Sequence, residues 1–243
     1  MVRLPPETGA FDYQLDEAYP PGPGVSVVVR DRSSRPPAGT YGVCYVNAFQ
    51  TQPEDRATWL RERPFLVLRD AAGASVEDPD WPGEMLLDLG DRDRRTGAAA
   101  VVVGELDRCV RNGFRAVELD NLDSWTRSGG RITKADATAY AGLLVGAAHT
   151  RGLAVAQKNA AELLGTPGLP AFDFAVTEDC GAFDECEPFT RVYGARVLDV
   201  EYTDAGFDVA CATGPPLRVV RRDLELAAPG APGHVLRQCP GRS

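Results

Sequence analysis

Histidine is scarce in this sequence, and long apolar segments are missing. Only His149 and His234 occur among 243 residues, which gives little support to a mechanism in which an imidazole activates a nucleophile. The longest apolar run, AAAVVVG at 98–104, is far shorter than the roughly 18 residues of a membrane-spanning helix. We therefore expect no membrane span, and we expect His149, inside a helical pattern, to be structural.

Positive charge is also in deficit, and several well-known catalytic motifs do not occur. The 26 Lys and Arg residues against 35 Asp and Glu residues give a formal net charge of −9, which argues against a nucleic-acid partner. An acidic field instead concentrates positively charged ligands. The sequence has no Gly-x-Ser-x-Gly elbow, no His-Glu-x-x-His pair and no Gly-x-x-x-x-Gly-Lys phosphate loop.

The six cysteines include no Cys-x-x-Cys pair, and with two histidines they argue against a structural zinc site. Cys180 and Cys186 flank a short Gly-containing segment, and this spacing predicts a small disulfide loop. Cys211 and Cys239 bracket the C-terminal segment, which a disulfide between them would fasten. We expect no metal and no cofactor.

Free thiols are the alternative for the remaining cysteines, Cys44 in an apolar strand pattern and Cys109 in a helical pattern. Disulfides form in oxidising compartments, so the cysteine pattern favours a secreted protein. The segment MVRLPPETGAF lacks the apolar core of a signal peptide. Either a leader has been removed or the protein stays inside the cell, and six free thiols would favour the second interpretation.

Strand-like and helix-like patterns alternate along the chain, with no internal repeat. Helical patterns end at Gly113 and Gly152, and Thr133 with Asp136 approximates a capping box at the start of the second. Nine apolar runs have the length of strands: 11–15, 25–30, 41–47, 84–89, 114–120, 153–159, 172–178, 195–202 and 217–223. This alternation predicts an α/β fold, a single (β/α)8 TIM barrel, in which one run is spare. We expect residues 1–243 to form one catalytic domain, with 1–9 and 229–243 as terminal extensions.

Polar side chains gather where these runs end, and in a parallel barrel all these ends meet at the face that carries active sites. They are Asp12, Gln14, Tyr45, Asn47, Asp88, Asp120, Asn121, Asp123, Lys158, Asn159, Glu178, Asp179, Glu201 and Tyr202. Carboxylates placed together raise one another's pKa and cost stability, so a structural protein has no reason to collect them. The pattern is typical of an enzyme.

Asp120 in AVELDNLDSW and Glu178 in FAVTEDCGAFDEC are the strongest catalytic candidates, because each directly follows an apolar strand. The alternatives are an Asx-turn at Asp120 and a surface turn, pinned by a disulfide, at Glu178. Asp123 either turns back toward the same site or caps the next loop. By strand alternation, Asp179 is expected to point away from Glu178.

VLDVEYTD places Glu201 and Tyr202 at another strand end, and Glu201 is the main rival to Glu178 as proton donor. A solvated surface charge is the alternative for Glu201. Lys158 in AQKNAAELL is expected to keep a nearby carboxylate ionised and oriented, although a structural salt bridge is equally consistent. Asn159 is interpreted as a helix N-cap with Glu162 at N3, without a catalytic role.

A pair of carboxyl groups is the usual apparatus of glycoside hydrolysis, in which one protonates the leaving oxygen and the other attacks the sugar or activates water. Two other classes stay open. A non-catalytic carbohydrate-binding barrel would keep the aromatic lining, and a metal-dependent polysaccharide deacetylase would use Asp120, Asp123 and Glu178 as oxygen ligands.

The order and spacing of several blocks resemble the endo-α-1,4-polygalactosaminidase family (glycoside hydrolase family 114). The blocks are FDYQLDEAY, VCYVNA, WPGEMLLDL, GFRAVELDNLDSW, AHTRGLAVAQKN, FDFAVTEDCGAFDEC and VLDVEY. The resemblance implies a (β/α)8 barrel with Asp120 and Glu178 as catalytic residues. It further implies that the cleft is lined by Tyr45, Asp123, Lys158, Glu201 and Tyr202.

From this resemblance we expect a secreted, monomeric glycosidase that cleaves an α-1,4-linked galactosamine polysaccharide. The protonated amines of such a polymer agree with the acidic charge of the chain. We expect Glu178 to act as general acid and base, and Asp120 as the ionised partner and nucleophile. The segment FQTQPED at 49–55 departs from the family's usual pattern, and residues from 205 onward match it only loosely.

Overall fold

A computed structural model describes residues 2–214 and 217–239, which form a nearly closed barrel of parallel strands in chain order. The strands are β1 (Ala10–Gln14), β2 (Val25–Asp31), β3 (Tyr41–Asn47), β4 (Ala116–Asp120), β5 (Ala154–Lys158), β6 (Phe174–Glu178), β7 (Val197–Glu201) and β8 (Arg218–Arg222). A short ninth strand, β9 (Leu236–Gln238), runs antiparallel to β8. Because β1 also lies against β8, the sheet curls back on itself. The predicted (β/α)8 barrel is confirmed.

The helices between the strands are unevenly distributed. The described residues contain α1 (Arg56–Glu62), α2 (Arg92–Asn112), α3 (Lys134–Thr150), α4 (Cys186–Tyr193) and α5 (Asp204–Ala212). The links 15–24 and 32–40 are irregular instead. The first contains Pro20, Pro21 and Pro23, and the second contains Pro36 and Pro37. Proline lacks the amide hydrogen of a helix interior, which accounts for irregular structure in both links.

The two predicted helices are confirmed and their ends follow from local chemistry. The Asp91 side chain accepts a hydrogen bond from the Arg94 amide and starts α2, which ends at Gly113 with φ +93°. The Thr133 hydroxyl accepts from the Asp136 amide while the Asp136 carboxylate accepts from the Thr133 amide. This reciprocal capping box satisfies two amide groups that have no partner within α3.

The spare strand candidate is the run at 84–89. It lies in the long link between β3 and α2, where isolated antiparallel bridges join Gln50 to Leu86, Val67 to Leu87 and Glu77 to Met85. Its apolar side chains Met85, Leu86, Leu87 and Leu89 are fully buried. The run has strand-like composition because both its faces are covered, and it forms a small meander outside the barrel sheet.

Side chains alternate along each strand between the barrel interior and the helical layer. Val43, Ala116 and Val176 pack inside the barrel. On the neighbouring positions, Cys44 and Val117 face α2 and α3. Full burial of a large apolar side chain stabilises the fold by about 1.5–3 kcal/mol. Residues that are paired between neighbouring parallel strands face the same side of the sheet. The inward residues of one strand therefore identify the inward residues of the next.

All six cysteines form disulfides. Cys180 pairs with Cys186 and Cys211 with Cys239, as the spacing predicted. The alternative of free thiols is wrong for Cys44 and Cys109, which connect β3 to α2. Cys44 faces outward from the barrel, so burial in an apolar strand is compatible with a partner on the covering helix.

The two expected terminal extensions contact the barrel. Tyr41 donates a hydrogen bond to the Arg3 carbonyl (2.5 Å), and Glu7 forms an ion pair with Arg196 (2.9 Å). Within 229–239 the chain forms β9 and reaches Cys239. Met1 and residues 240–243 lie outside the described residues. None of the helices described is long and apolar enough to cross a membrane.

Candidate active site

Four charged side chains meet at the carboxyl ends of β4, β5 and β6, and we call Glu118, Asp120, Lys158 and Glu178 the Lys158 cluster. The Lys158 ammonium lies 2.9 Å from Glu118 Oε1, 3.2 Å from Asp120 Oδ1 and 3.2 Å from Glu178 Oε2. Lys158 is almost fully buried, while Asp120 and Glu178 keep 19% and 28% of their side chains exposed. The two predicted catalytic carboxylates therefore share one cation.

Strand alternation brings these side chains together. Glu118 and Asp120 are two and four residues after Ala116, which faces the barrel interior. Lys158 and Glu178 each follow an inward residue by two positions, Ala156 and Val176. All four side chains therefore project toward the barrel axis near its upper rim.

Each carboxylate of the cluster accepts a hydrogen bond from one tyrosine. The bonds run from Tyr13 to Glu118 (2.8 Å), from Tyr45 to Asp120 (2.7 Å) and from Tyr202 to Glu178 (2.5 Å). Burial raises the pKa of all three phenols well above the usual value, so they stay protonated and act as donors. Such bonds to charged acceptors are roughly twice as strong as neutral ones, and they fix the carboxylates in place.

Burial and charge oppose one another in the cluster. Burial raises the pKa of Asp120, but Lys158 and the Tyr45 hydrogen bond outweigh it and hold the pKa below its usual range. For Glu118 burial dominates and raises the pKa to about 7 despite Lys158. Burial lowers the pKa of Lys158, yet the three carboxylates bring it well above the ordinary value. Asp120 and Lys158 are thus both charged at neutral pH.

The exposed side of the cluster opens into a cleft of about 730 Å³. Its wall carries two cations, Arg127 and Lys158, and eleven carboxylates. The carboxylates are Asp16, Asp31, Glu54, Asp78, Asp80, Glu84, Asp120, Asp123, Glu178, Asp179 and Glu225. Two exposed aromatic side chains, Trp81 and Phe183, also line it. The cleft is strongly acidic and suits a positively charged ligand.

Of the residues expected to line the cleft, Tyr45, Asp123, Lys158 and Tyr202 do so. Asp123 is paired with Arg127 (2.9 Å), which also binds Asp78 (2.7 Å). Asp123 therefore turns back toward the site, and its side chain does not cap the following loop. Its negative charge is compensated within the protein.

Glu201 does not line the cleft, and the expectation that it would is corrected here. Glu178 pairs in register with Val200, which packs inside the barrel, so Glu201 points to the opposite face. There it is fully buried, and its Oε1 accepts a hydrogen bond from the Gly181 amide (2.6 Å). The alternative interpretation of Glu201 as a solvated surface charge is also wrong, because the side chain is buried. Strand alternation separates Glu201 from Leu198 and Val200, but it does not by itself show which of the two faces is inward.

Asn159 has a role in the site instead of capping a helix. The short 3-10 helix Ala161–Leu163 begins after Ala160, so the predicted N-cap with Glu162 at N3 is wrong. Asn159 Oδ1 accepts from the Glu178 amide (2.8 Å), and its Nδ2 lies 3.4 Å from Glu178 Oε2. Its φ of +44° turns the backbone sharply after Lys158.

Asp179 is also turned by a left-handed backbone, with φ +54°. Its Oδ1 accepts a hydrogen bond from the Tyr202 amide (2.9 Å), so it lies beside the cleft instead of pointing away. This bond joins the end of β6 to the end of β7. It keeps Tyr202 close to Glu178.

Several site residues were not singled out from the sequence, above all Glu118, Tyr13 and Glu84. Glu118 lies two positions before Asp120, and period-two alternation alone places it on the same face. Tyr13 lies in the first predicted strand, where period-two alternation likewise places it on the same face as Phe11. Glu84 comes from the long link between β3 and α2, whose path no local pattern predicts.

One group among the described residues has metal-binding spacing: Cys180, Cys186, Asp199 and Glu201. Its two sulfur atoms are joined in a disulfide and are not available as thiolate ligands. The three carboxylates of the Lys158 cluster already share an ammonium group. Their arrangement favours proton transfer and nucleophilic attack, for which no metal is required.

A (β/α)8 barrel that presents two carboxylates on one rim, in an open cleft, defines a site of the glycoside hydrolase class. The model of the glycoside-hydrolase family GH114 matches residues 1–243, and the chain belongs to that family. The resemblance seen in the sequence is therefore confirmed, and the protein is a glycoside hydrolase. A search of curated proteins gives no match.

Two solved structures share the fold over nearly their full length. The crystal structure of Aspergillus fumigatus Ega3 in complex with galactosamine has a TM-score of 0.73 at 19% identity, and the match covers 98% of each chain. The glycoside hydrolase domain of PelA from Pseudomonas aeruginosa has a TM-score of 0.61 at 16% identity, covering 92% of this chain and 97% of that one. At these identities the likeness shows a common fold.

Proposed function

We propose that this protein is an endo-acting hydrolase of α-1,4-linked galactosamine polysaccharide that uses Glu178 and Asp120. The observation that carries the proposal is the joint binding of both carboxylates by Lys158 at the base of an acidic cleft. Membership of family GH114 supports the reaction class. The galactosamine bound to Ega3, which shares this fold, supports the substrate class.

Glu178 acts as the general acid and base. It is the more exposed of the two carboxylates and lies at the open side of the cluster, where the glycosidic oxygen of a bound chain is accessible. Protonated Glu178 donates its proton to that oxygen as the bond to the anomeric carbon breaks. Tyr202 and Asn159 hold the carboxyl group in one orientation through this step.

Asp120 acts as the nucleophile, which gives retention of configuration. Since Asp120 Oδ1 and Glu178 Oε2 both lie 3.2 Å from the same nitrogen, they are separated by no more than twice that distance, about 6.4 Å. Retaining enzymes have carboxyl groups about 5–5.5 Å apart, and inverting enzymes roughly 6.5–9.5 Å apart. The limit applies to the two nearest oxygen atoms, and it is compatible with the closer spacing of a retaining enzyme. Its low pKa keeps Asp120 ionised for attack on the anomeric carbon.

After the covalent glycosyl-enzyme forms, the Glu178 carboxylate removes a proton from water and the hydroxide displaces Asp120. Lys158 stabilises the carboxylate that leaves, and the Tyr45 hydroxyl donates to the same group. Glu118 sets the position of Lys158 from below (2.9 Å). These groups are in place before the substrate binds, as electrostatic stabilisation of a transition state requires.

The substrate is held by Tyr45, Asp123, Lys158 and Tyr202, together with the acidic wall of the cleft. A galactosamine polymer carries an ammonium group on each unit, and the surplus of carboxylates over cations attracts it. Trp81 and Phe183, 56% and 70% exposed, offer apolar faces for further sugar rings. Contacts with several consecutive units favour cleavage within the chain.

We propose that the enzyme acts outside the cell as a monomer. Three disulfides support an oxidising compartment, where they form and persist. A polysaccharide is too large to enter a cell intact, which agrees with that location.

The proposed function is tested by the release of oligosaccharides from deacetylated galactosaminogalactan. We expect wild-type protein to cleave it and Asp120→Asn and Glu178→Gln to lose about 10²-fold or more of the rate, because each variant removes one of the two chemical roles. The Glu17→Gln variant is the matched control, since Glu17 is an exposed carboxylate that does not line the cleft. Chelator is expected to leave the rate unchanged.

Four results contradict the proposal or one of its parts. Binding of the polymer without cleavage would identify a carbohydrate-binding barrel. Loss of activity with chelator would favour the deacetylase alternative. An active Glu178→Gln variant would remove Glu178 from the role of acid, and inverted product stereochemistry would remove Asp120 from the role of nucleophile.

A further inference from the structure

Glu84 is a partly buried carboxylate of the cleft. Among the described residues it has no ion pair with a cation, and no backbone amide donates a hydrogen bond to its side chain. Asp78 and Asp123 share Arg127, while Asp120 and Glu178 share Lys158. Among the cleft carboxylates without a cation in the described chain, four are exposed: Asp16, Glu54, Asp80 and Glu225. Two others serve backbone turns, Asp31 at the Ser33 amide and Asp179 at the Tyr202 amide.

The hydrogen bonds of Glu84 place it beside the reaction centre. Its Oε2 accepts from the Asn47 amide group (2.7 Å), and Asn47 Oδ1 accepts from Asn121 Nδ2 (3.0 Å). Asn47 is the direct neighbour of Asp120 in the β3–β4 ladder. Glu84 therefore lies one side chain away from the nucleophile, on the wall formed by the link between β3 and α2.

The turn that carries Glu84 also carries an aromatic side chain. The Glu84 amide donates to the Trp81 carbonyl (3.1 Å), and Glu77 accepts from the Gly83 amide (3.2 Å) and is paired with Arg56 (2.6 Å). Trp81 and Glu84 both line the cleft. An apolar ring face beside a carboxylate matches the two faces of an amino sugar, one made of C–H groups and one bearing a cation.

We propose that Glu84 is a specificity-determining residue that binds the ammonium group of a sugar unit next to Asp120, so that free amino sugars are preferred over N-acetylated ones. This inference depends on the proposed function. An N-acetyl group in that place would bring no charge, and it would set a bulky amide against a carboxylate whose other neighbours are also acidic.

The electrostatics around Glu84 agree with this assignment. Burial, together with the facing carboxylates of Asp120, Asp78 and Glu54, raises the pKa of Glu84 to about 7 against the opposing effect of the Asn47 hydrogen bond. The nearby cation, Arg127, is engaged by Asp78. A bound ammonium therefore supplies the countercharge that Arg127, engaged by Asp78, does not provide.

The test compares wild type, Glu84→Gln and the control Glu17→Gln on α-1,4-linked galactosamine oligosaccharides and on N-acetylated oligosaccharides of the same length. Glutamine can still accept the Asn47 hydrogen bond, so the turn is preserved. We expect Glu84→Gln to lower kcat/KM on the amino form about tenfold or more, with little change on the acetylated form. Where the acetylated form is not cleaved, the dissociation constants of both are compared in a Glu178→Gln background.

A pH profile gives a second measurement on the same variants. The ionised form of Glu84 binds the ammonium, so the ratio of wild-type to Glu84→Gln kcat/KM is expected to rise as the pH increases through about 7. Because the pair also needs a protonated sugar amine, the ratio is expected to fall again at higher pH, where the amine loses its proton, and so to pass through a maximum. A flat ratio contradicts the inference.

The outcomes separate this inference from the proposed function. If wild type cleaves the amino oligosaccharide and Glu84→Gln keeps the same selectivity, only the role of Glu84 is overturned. Equal losses on both substrates would indicate a purely structural residue and also overturn it. If wild type cleaves neither substrate, the proposed function fails, and the role of Glu84 fails with it.

Discussion

This barrel contains two groups of buried carboxyl side chains. One surrounds Lys158, and the other consists of Asp199 and Glu201. In the Lys158 cluster three carboxylates surround one ammonium. The Asp199–Glu201 pair faces the helical layer, and no ion pair to either residue occurs within the described chain. Asp199 Oδ2 and Glu201 Oε2 have no hydrogen-bond partner there other than each other.

The difference shows that the same residue type at a strand end serves different purposes on the two faces of the sheet. Burial raises the pKa of both Asp199 and Glu201, so each binds a proton more tightly than an exposed carboxylate does. Its other oxygens accept from Thr177 Oγ1 (2.7 Å) and from the Gly181 amide (2.6 Å). The pair therefore anchors the disulfide loop that follows Glu178, whereas the Lys158 cluster remains charged for chemistry.

Removal of the Lys158 ammonium, which distinguishes the Lys158 cluster from the Asp199–Glu201 pair, has the largest expected effect. Lys158→Met leaves Glu118 buried without its countercharge, so we expect a loss of about 3–5 kcal/mol in the free energy of unfolding, together with loss of activity. Urea unfolding and the oligosaccharide-release assay measure these effects. Lys134→Met, at a partly exposed helix N-terminus, should cost less than about 1 kcal/mol. Equal urea midpoints for the two variants would show that Lys158 does not neutralise the cluster.

Opening the loop above the Asp199–Glu201 pair has the next largest expected effect. Replacing Cys180 and Cys186 by serine removes a disulfide with a separation of six residues, which should cost about 2 kcal/mol in unfolding free energy. We also expect kcat to fall several-fold, because the loop begins directly after Glu178 and Asp179.

Removal of the Cys211–Cys239 disulfide is the control for this prediction. Its separation of 28 residues gives a larger expected stability loss, about 3.5 kcal/mol, but it lies away from the cleft and should leave kcat unchanged. If both double variants changed kcat alike, the effect would reflect general destabilisation rather than the position of Glu178.

The smallest expected effect is the pH dependence of stability that arises from the raised pKa of Asp199. The pKa of Asp199 is raised in the folded state, so its contribution to stability is present below the unfolded pKa of about 3.9 and is lost as the pH rises through the folded pKa. Asp199→Asn cannot ionise. Its unfolding free energy relative to wild type should therefore increase from pH 4 to pH 8, on the order of 1–2 kcal/mol.

Urea unfolding at a series of pH values measures this dependence. Asp208→Asn, an exposed change in α5, should follow the wild-type curve. Parallel curves for wild type and Asp199→Asn would mean that the pair is ionised in the folded protein.

The barrel and the meeting of Asp120 with Glu178 on one rim could be predicted from the sequence because their signals are local. Apolar runs followed by Asp120 and Glu178 recur at regular spacing, and alternation would also have identified Glu118. The orientation of Glu201 could not be predicted, since strand alternation puts Asp199 and Glu201 on one face of β7 without showing whether that face is inward. Only the register of β7 with β6 decides this. Glu84 depends on the packing of a long link, and that path follows from tertiary contacts rather than from local propensity.

The chain order of the strands has a consequence for the synthesis of the protein. Each strand from β2 to β8 pairs with the one made just before it, so the sheet can grow as the polypeptide leaves the ribosome. No backbone ladder between β1 and β8 occurs among the described residues. Instead, Arg222 donates to the Tyr13 carbonyl and Gln238 to the Phe11 carbonyl (2.7 Å). Closure of the barrel therefore waits for the last part of the chain to be translated.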